Sequence, residues 1–231
     1  AMIAAEMAGA VPVPLYQDAN AEEMAYVMGH CGARIAVVGD QEQVDKIIEV
    51  QDQLPDFERM IYLDPRGLRK YDHSKLDQYT AVQEMGRANR EKHIAELEAR
   101  QAKLNYDSTG VMLYTSGTTG PPKGAMITHR NMIFQMRAGS ECLEFLETDN
   151  LLCFLPLCHV LERIVSVEAP IANGCIVNFA ESPETVFDNL QEVSPDSFSG
   201  VPRIWEKIYS RVMILRSEAG PIGGKAFDWA M

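Results

Sequence analysis

The chain has 231 residues, 46% hydrophobic and 23% charged, with a formal net charge of −12 at pH 7. This is the composition of a soluble globular protein, long enough to bury a core in one large domain or two small ones. The acidic excess divides evenly between residues 1–105 and 106–231, leaving no basic stripe for a nucleic-acid backbone, and the longest apolar run, residues 151–161, is too short to span a membrane.

Residues 1–16 carry Glu6 and no basic leader, so they do not read as a signal peptide. Residues 2–10 read as the end of a helix, and 11–16 as a short strand limited by Pro12 and Pro14. A chain that opens inside an element reads as an internal piece of a longer protein. Asp18 or Asn20 can cap a helix running through His30. Residues 34–39 (RIAVVG) form a buried strand, Asp40 caps a helix from Gln41 to Gln51, and residues 59–63 form a further strand. Residues 64–80, rich in charge, proline and glycine, read as loop. Residues 81–103 are helical and strongly charged, with Ile94, Leu97 and Leu104 at roughly helical spacing. Such a stretch lies solvated on the surface rather than binding a partner.

A second series begins at residue 106. Strands are expected at 109–115, 124–128, 150–156, 175–180 and 197–201. Helices are expected at 131–145, 160–172, 183–193 and 202–217. Pro183 and Pro202 fall at helix starts, where a missing N–H is no loss. Strands alternating with helices at this spacing predict an α/β fold of mostly parallel sheets with helices on both faces. Its first subdomain would occupy 1–105 and its second 106–231.

Five cysteines, Cys31, Cys142, Cys153, Cys158 and Cys175, are odd in number and include no CxxC pair. They read as reduced, mostly buried thiols of a cytosolic protein. Cys153, Cys158 and His159 lie close together, but their spacing matches no zinc pattern, and core packing is the better reading.

Residues 114–124, YTSGTTGPPKG, hold the densest chemistry. They are not a Walker A loop: Gly117 and Gly120 are too close, and Lys123 is followed by Gly124. The ingredients of anion binding are nevertheless present. Gly117 and Gly120 permit positive φ and close backbone approach. Thr115, Ser116, Thr118 and Thr119 offer hydroxyls beside backbone N–H groups. Lys123 brings a positive charge on a long stem, and Pro121 and Pro122 stiffen the run towards it. A hydrophilic turn uses the same Gly, Ser and Thr, so composition alone balances a phosphate cradle evenly against a plain turn.

The full string closely resembles the phosphate-binding signature of the adenylate-forming (AMP-binding) superfamily. LPLCHVLER, residues 155–163, and VPRIWEKIY, residues 201–209, resemble segments of its long-chain fatty acyl-CoA synthetase subfamily. The resemblance covers essentially the whole chain, least well at 64–104. It implies an AMP-forming acid–thiol ligase that uses fatty acid, ATP, Mg2+ and CoA. The fatty carboxylate attacks the α-phosphorus of ATP to give acyl-adenylate and pyrophosphate, and the CoA thiolate then displaces AMP. By the same resemblance, Thr115, Ser116, Gly117, Thr118, Thr119, Gly120 and Lys123 hold the β- and γ-phosphates. The Thr115 hydroxyl helps coordinate magnesium, and His159 lies near the acyl and adenylate site; taken alone, His159 reads as a satisfied core histidine. Glu162 and Arg163 read as a local pair orienting their helix, and Trp205 as core rather than a fatty-acid gate.

The family's downstream glutamate motif, ribose-gripping aspartate, hinge and C-terminal lysine domain do not occur in these residues, so the piece alone is expected to be inactive. A cytoplasmic enzyme is implied, with peripheral attachment at the inner face of the membrane compatible with it. The alternatives are an ATP- or anion-binding module that transfers no acyl group, and an adenylating enzyme for another carboxylate.

Overall fold

Asn20 and Glu23 begin the first well-anchored helix. The Asn20 side chain accepts from the Glu23 N–H at 2.9 Å, and the Glu23 carboxylate accepts from the Asn20 N–H at 3.1 Å. Behind the short α1 (Met2–Met7), this reciprocal box starts α2 (Ala21–Cys31). Gly32, at φ 63°, ends it in the left-handed conformation that favours glycine. β1 (Ile35–Val38) follows, and the Asp40 side chain then caps α3 (Gln41–Val50) by accepting from the Gln43 N–H. The structure, a computed structural model, describes residues 1–115, 120–143 and 145–230.

β1 pairs in parallel with β2 (Arg59–Tyr62), and β2 with β3 (Leu76–Gln78). Met24 and Met28 of α2 and Val44, Ile47 and Val50 of α3 close over Val38, Met60, Tyr62 and Leu76 of this sheet. Burial on β1 is one-sided: Val38 is buried, while Ile35 and Val37 are exposed. The apolar run at 34–39 is therefore an edge strand and not the fully buried strand expected. β3 lies within the stretch read as loop. It has one buried apolar residue, Leu76, and is held by backbone pairing and by the Arg59–Asp77 ion pair at 2.6 Å. The charged stretch resolves into α4 (Tyr79–Ala88) and α5 (Arg90–Gln101), separated at Asn89, with no buried residue in either.

β4 (Thr109–Thr115) and β5 (Lys123–Thr128) form an antiparallel pair leading into α6 (His129–Leu143). Val111, Leu113 and Met132 form a second small core with Ile127 packed on it. Residues 11–16 form no strand, because Pro12 and Pro14 lack ladder donors. The Pro12 carbonyl nevertheless accepts from the Met112 N–H at 3.1 Å. The chain groups into two units, residues 1–135 with 156–160, and 136–155 with 161–231. β4 and β5 thus group with the elements before residue 105.

In the second unit β6 (Asn150–Cys153) pairs in parallel with β7 (Ile176–Phe179). The helical stretch between them runs through α7 (Val160–Arg163), a π turn (Ile164–Glu168) and α8 (Ala169–Asn173), ending at Gly174 with φ 82°. α9 (Val186–Val193) begins later than expected. Pro183 sits in the preceding turn, where Thr185 bonds Ser182 and Asn189. The strand expected at 197–201 shrinks to one bridge, Leu151 to Ser197. α10 (Pro202–Glu218) does start on Pro202, and α11 (Gly220–Ala230) follows it. Trp205 is not core. It is 50% exposed, its indole N–H donates to the Gly200 carbonyl at 3.0 Å, and its ring meets Phe198 edge-to-face. No described helix is long and apolar enough to cross a membrane.

These assignments rank two substitutions. Ile47→Ala empties part of the first core and should cost about 2–5 kcal/mol. Asn20→Ala removes a cap and no packing, and should cost about 1 kcal/mol. Urea unfolding of both variants measures the ranking; a larger loss for Asn20→Ala would contradict the core described.

Candidate functional site

The β4–β5 register is Thr115 opposite Lys123 and Tyr114 opposite Gly124. Directly opposed residues share a face of the pair and stand about 4.5–5.5 Å apart at Cα. The hydroxyl of Thr115 and the ammonium of Lys123 therefore start from neighbouring positions, and both residues are exposed. Gly120 has φ 95°, the left-handed region that its sequence role anticipated. Ser116, Gly117, Thr118 and Thr119 lie outside the described residues.

One face of α2 meets β4 and the residue just ahead of β5 beside this pair. The Tyr26 hydroxyl donates to the Pro122 carbonyl at 3.1 Å. One turn on, His30 Nδ1 and the Tyr114 hydroxyl share a hydrogen bond of 2.6 Å. The Tyr26 and His30 rings stack with centroids 5.7 Å apart, and His30 meets the Tyr114 ring edge-to-face at the same separation. Burial pushes the Tyr114 phenol above its usual range, with Cys31 and Tyr26 adding to the rise. Gly124 leaves room for that ring: a Cβ there would stand 2.8 Å from Met112 Sδ and 3.1 Å from Tyr114 Cζ.

His159 is half-buried in the turn before α7, where its backbone N–H donates to the Pro156 carbonyl at 2.8 Å. Residues 156–160 belong to the same unit as Thr115 and Lys123. There the Cys158 thiol bonds the Tyr16 hydroxyl, and burial raises both groups above their usual ranges.

The second unit holds a polar cluster that sequence reasoning did not assemble. Glu162 is buried and accepts from the Leu155 N–H at 2.9 Å and, by a short hydrogen bond, from the Ser166 hydroxyl. Arg163, 2% exposed, pairs with Glu168, 7% exposed, at 3.4 Å. Glu162 and Arg163 were expected to form a local pair; the structure gives each its own partner within the helical stretch. The π turn makes the second pairing possible. Residues five apart lie about 140° apart around a regular α-helix, whereas i→i+5 bonding brings them into line. The available signal was Glu162, Arg163, Ser166 and Glu168 interleaved with apolar residues, but their spacing fits neither an α-helix nor a strand throughout.

Cys153 is buried beside this cluster. Burial, together with the Glu162 carboxylate and against the opposing pull of Ser166, pushes its thiol up to about 11. Cys175 is also buried, Cys31 and Cys158 are half-buried, and Cys142 is exposed. Among the described residues, no group of three His, Cys, Asp or Glu side chains is placed to hold a metal.

A strand pair that opposes a hydroxyl to a lysine across a Gly/Thr-rich connection is suited to gripping an anion. The chain belongs to the AMP-binding enzyme family, whose profile matches residues 1–223. It is 31% identical to long-chain-fatty-acid–CoA ligase ACSBG2 of Xenopus laevis, over 99% of this chain and 31% of that protein. It is 30% identical to long-chain-fatty-acid–CoA ligase ACSBG1 of Rattus norvegicus, over 97% of this chain and 31% of that protein. The chain therefore spans about a third of the length of these relatives. ATP-bound MatB from Rhodopseudomonas palustris superposes with a TM-score of 0.63 at 22% identity, covering 89% of this chain and 37% of that one. The expected superfamily and its mixed α/β fold are both borne out.

The thiol environments predict an order of modification. At pH 8 Cys153 remains a protonated, buried thiol, and alkylation requires the thiolate. Iodoacetamide should label Cys142 in the folded protein and Cys153 only after denaturation, as read by peptide mass spectrometry. Early labelling of Cys153 would contradict its burial.

Proposed function

We propose that this chain carries the phosphate-gripping part of an AMP-forming long-chain fatty acid–CoA ligase. The observation that carries the reading is the opposition of Thr115 and Lys123 across β4 and β5, in a chain of the AMP-binding family whose named relatives are long-chain-fatty-acid–CoA ligases. The reaction would begin with attack of a fatty carboxylate on the α-phosphorus of ATP, with pyrophosphate leaving. CoA thiolate would then take the acyl group and release AMP.

Charge accumulates on the leaving pyrophosphate, so donors fixed around its oxygens favour the transition state over the ground state. In this reading Lys123 supplies the cation. Thr115, Ser116, Gly117, Thr118, Thr119 and Gly120 supply hydroxyl and backbone donors. His159 faces the acyl and adenylate region. Magnesium is commonly held by substrate phosphates and one or two protein oxygens. The Thr115 hydroxyl fits as one such oxygen, for an ion that arrives with ATP and offsets phosphate charge. The whole enzyme would work in the cytoplasm, drawing its fatty acid at the inner face of the membrane.

Removal of Lys123 tests the reading in the intact protein. A hydrogen bond to a charged group is worth about 1.5–3 kcal/mol, so Lys123→Ala should lower adenylation about 10- to 150-fold, in kcat as well as in the KM for ATP. Thr115→Val keeps the shape and should chiefly raise the magnesium requirement. Pyrophosphate release with ATP and a long-chain fatty acid, followed across a magnesium titration, measures both. Wild-type kinetics in Lys123→Ala would make the segment a turn, and release driven only by amino acids or aryl acids would overturn the substrate class.

A further inference from the structure

We propose that Tyr26 and His30 of α2 are positioning residues for phosphate binding, holding Thr115 and Lys123 at a fixed separation through the Tyr114 hydroxyl and the Pro122 carbonyl. The inference rests on the reading that this pair grips phosphate, and it adds the element that keeps the grip in shape.

Thr115 and Lys123 are the last partners of their ladder among the described residues, and both are exposed. A two-stranded pair is marginal by itself in water, and its end frays most easily. α2 holds the residue just inside that end on β4 and the residue just outside it ahead of β5. Tyr114 precedes Thr115 and shares its hydroxyl hydrogen bond with His30; Pro122 precedes Lys123 and accepts from Tyr26. Tyr26 and His30 are four apart, so they lie on one face of a helix, and their rings stack. One rigid element thus straddles the end of the ladder, bonding Tyr114 within β4 and Pro122 just ahead of β5.

The helix that does this is well fixed. Its start is closed by the Asn20–Glu23 box, its end by Gly32, and Met24, Val27 and Met28 are buried. Gly124 supports the same geometry, since a side chain there would drive into Met112 and the Tyr114 ring. A misplacement near 1 Å is enough to cost a catalytic contact about 100-fold. A helix that sets the separation of two phosphate-binding groups therefore affects ATP binding without touching ATP.

The test uses the intact protein. Tyr26→Phe and Tyr114→Phe each delete one hydroxyl and keep the ring. Each should raise the KM for ATP about 3- to 10-fold, the range of one net hydrogen bond, leaving the KM for fatty acid and the melting temperature unchanged. His30→Ala should behave alike, and His30→Gln, whose amide can still bond the Tyr114 hydroxyl, should recover most of the loss. Amide hydrogen exchange across residues 114–124 gives a readout independent of catalysis: it should quicken in the phenylalanine variants while exchange in β2 stays constant.

An unchanged KM for ATP in all three deletion variants overturns the proposal, as does a KM for fatty acid that rises in step with it. Unchanged exchange overturns it whatever the activity. If the wild-type protein releases no pyrophosphate from ATP yet exchange quickens in the variants, the α2 brace stands and the proposed ligase function falls.

Discussion

The register between β4 and β5 is the constraint on which the rest of the site depends. A slip by one residue would send every side chain of one strand to the opposite face. It would part Thr115 from Lys123 and turn Val111 and Leu113 out of the small core. Burial of those two residues against Ile127 and Met132 therefore fixes the polar end of the pair as well as its apolar middle. The same constraint matters electrostatically. A chain of net charge −12 has no global attraction for a nucleotide, and at physiological salt charges beyond about 8 Å are largely screened. On the proposed reading, recognition of an anion would rest on groups in immediate contact with it, and their spacing would decide whether they act together.

The buried polar cluster follows a different logic. Burying a guanidinium and a carboxylate is costly, and their mutual attraction offsets that cost only with good geometry. Arg163 and Glu168 meet because the helix widens between them. Glu162 takes the Leu155 N–H and the Ser166 hydroxyl, so its buried carboxylate is satisfied by near neighbours in the chain.

Much of this was legible in the sequence because the signals were local. Asn20, Asp40 and Pro202 mark helix starts through their own chemistry, and the strands at 109–115 and 150–153 are apolar enough to be read directly. The failures were tertiary. β3 has one apolar residue and exists because β2 offers it a partner. Residues 11–16 looked like a strand, but their prolines withhold the donors that a ladder needs. Trp205 looked like core by its size, yet its surroundings leave half of it in solvent. At the candidate site, the Gly, Thr and Lys pattern pointed to an anion. The hydrogen bonds from Tyr26 and His30, more than 80 residues away in sequence, carried no motif and became visible only once the chain was folded.

The π turn bears on length variation among related chains. A segment bonded i→i+5 holds one more residue than the α-helical turn it replaces. A relative lacking one residue between Arg163 and Glu168 would close the ordinary ladder, and its two charges, now four apart, would still face each other. The helix beyond would keep its phase, so Ala169 would stay buried and Asn173 would keep its bond to Ser140. Alignments of this family should therefore tolerate a single-residue gap within Ile164–Glu168 more readily than elsewhere in the same helix.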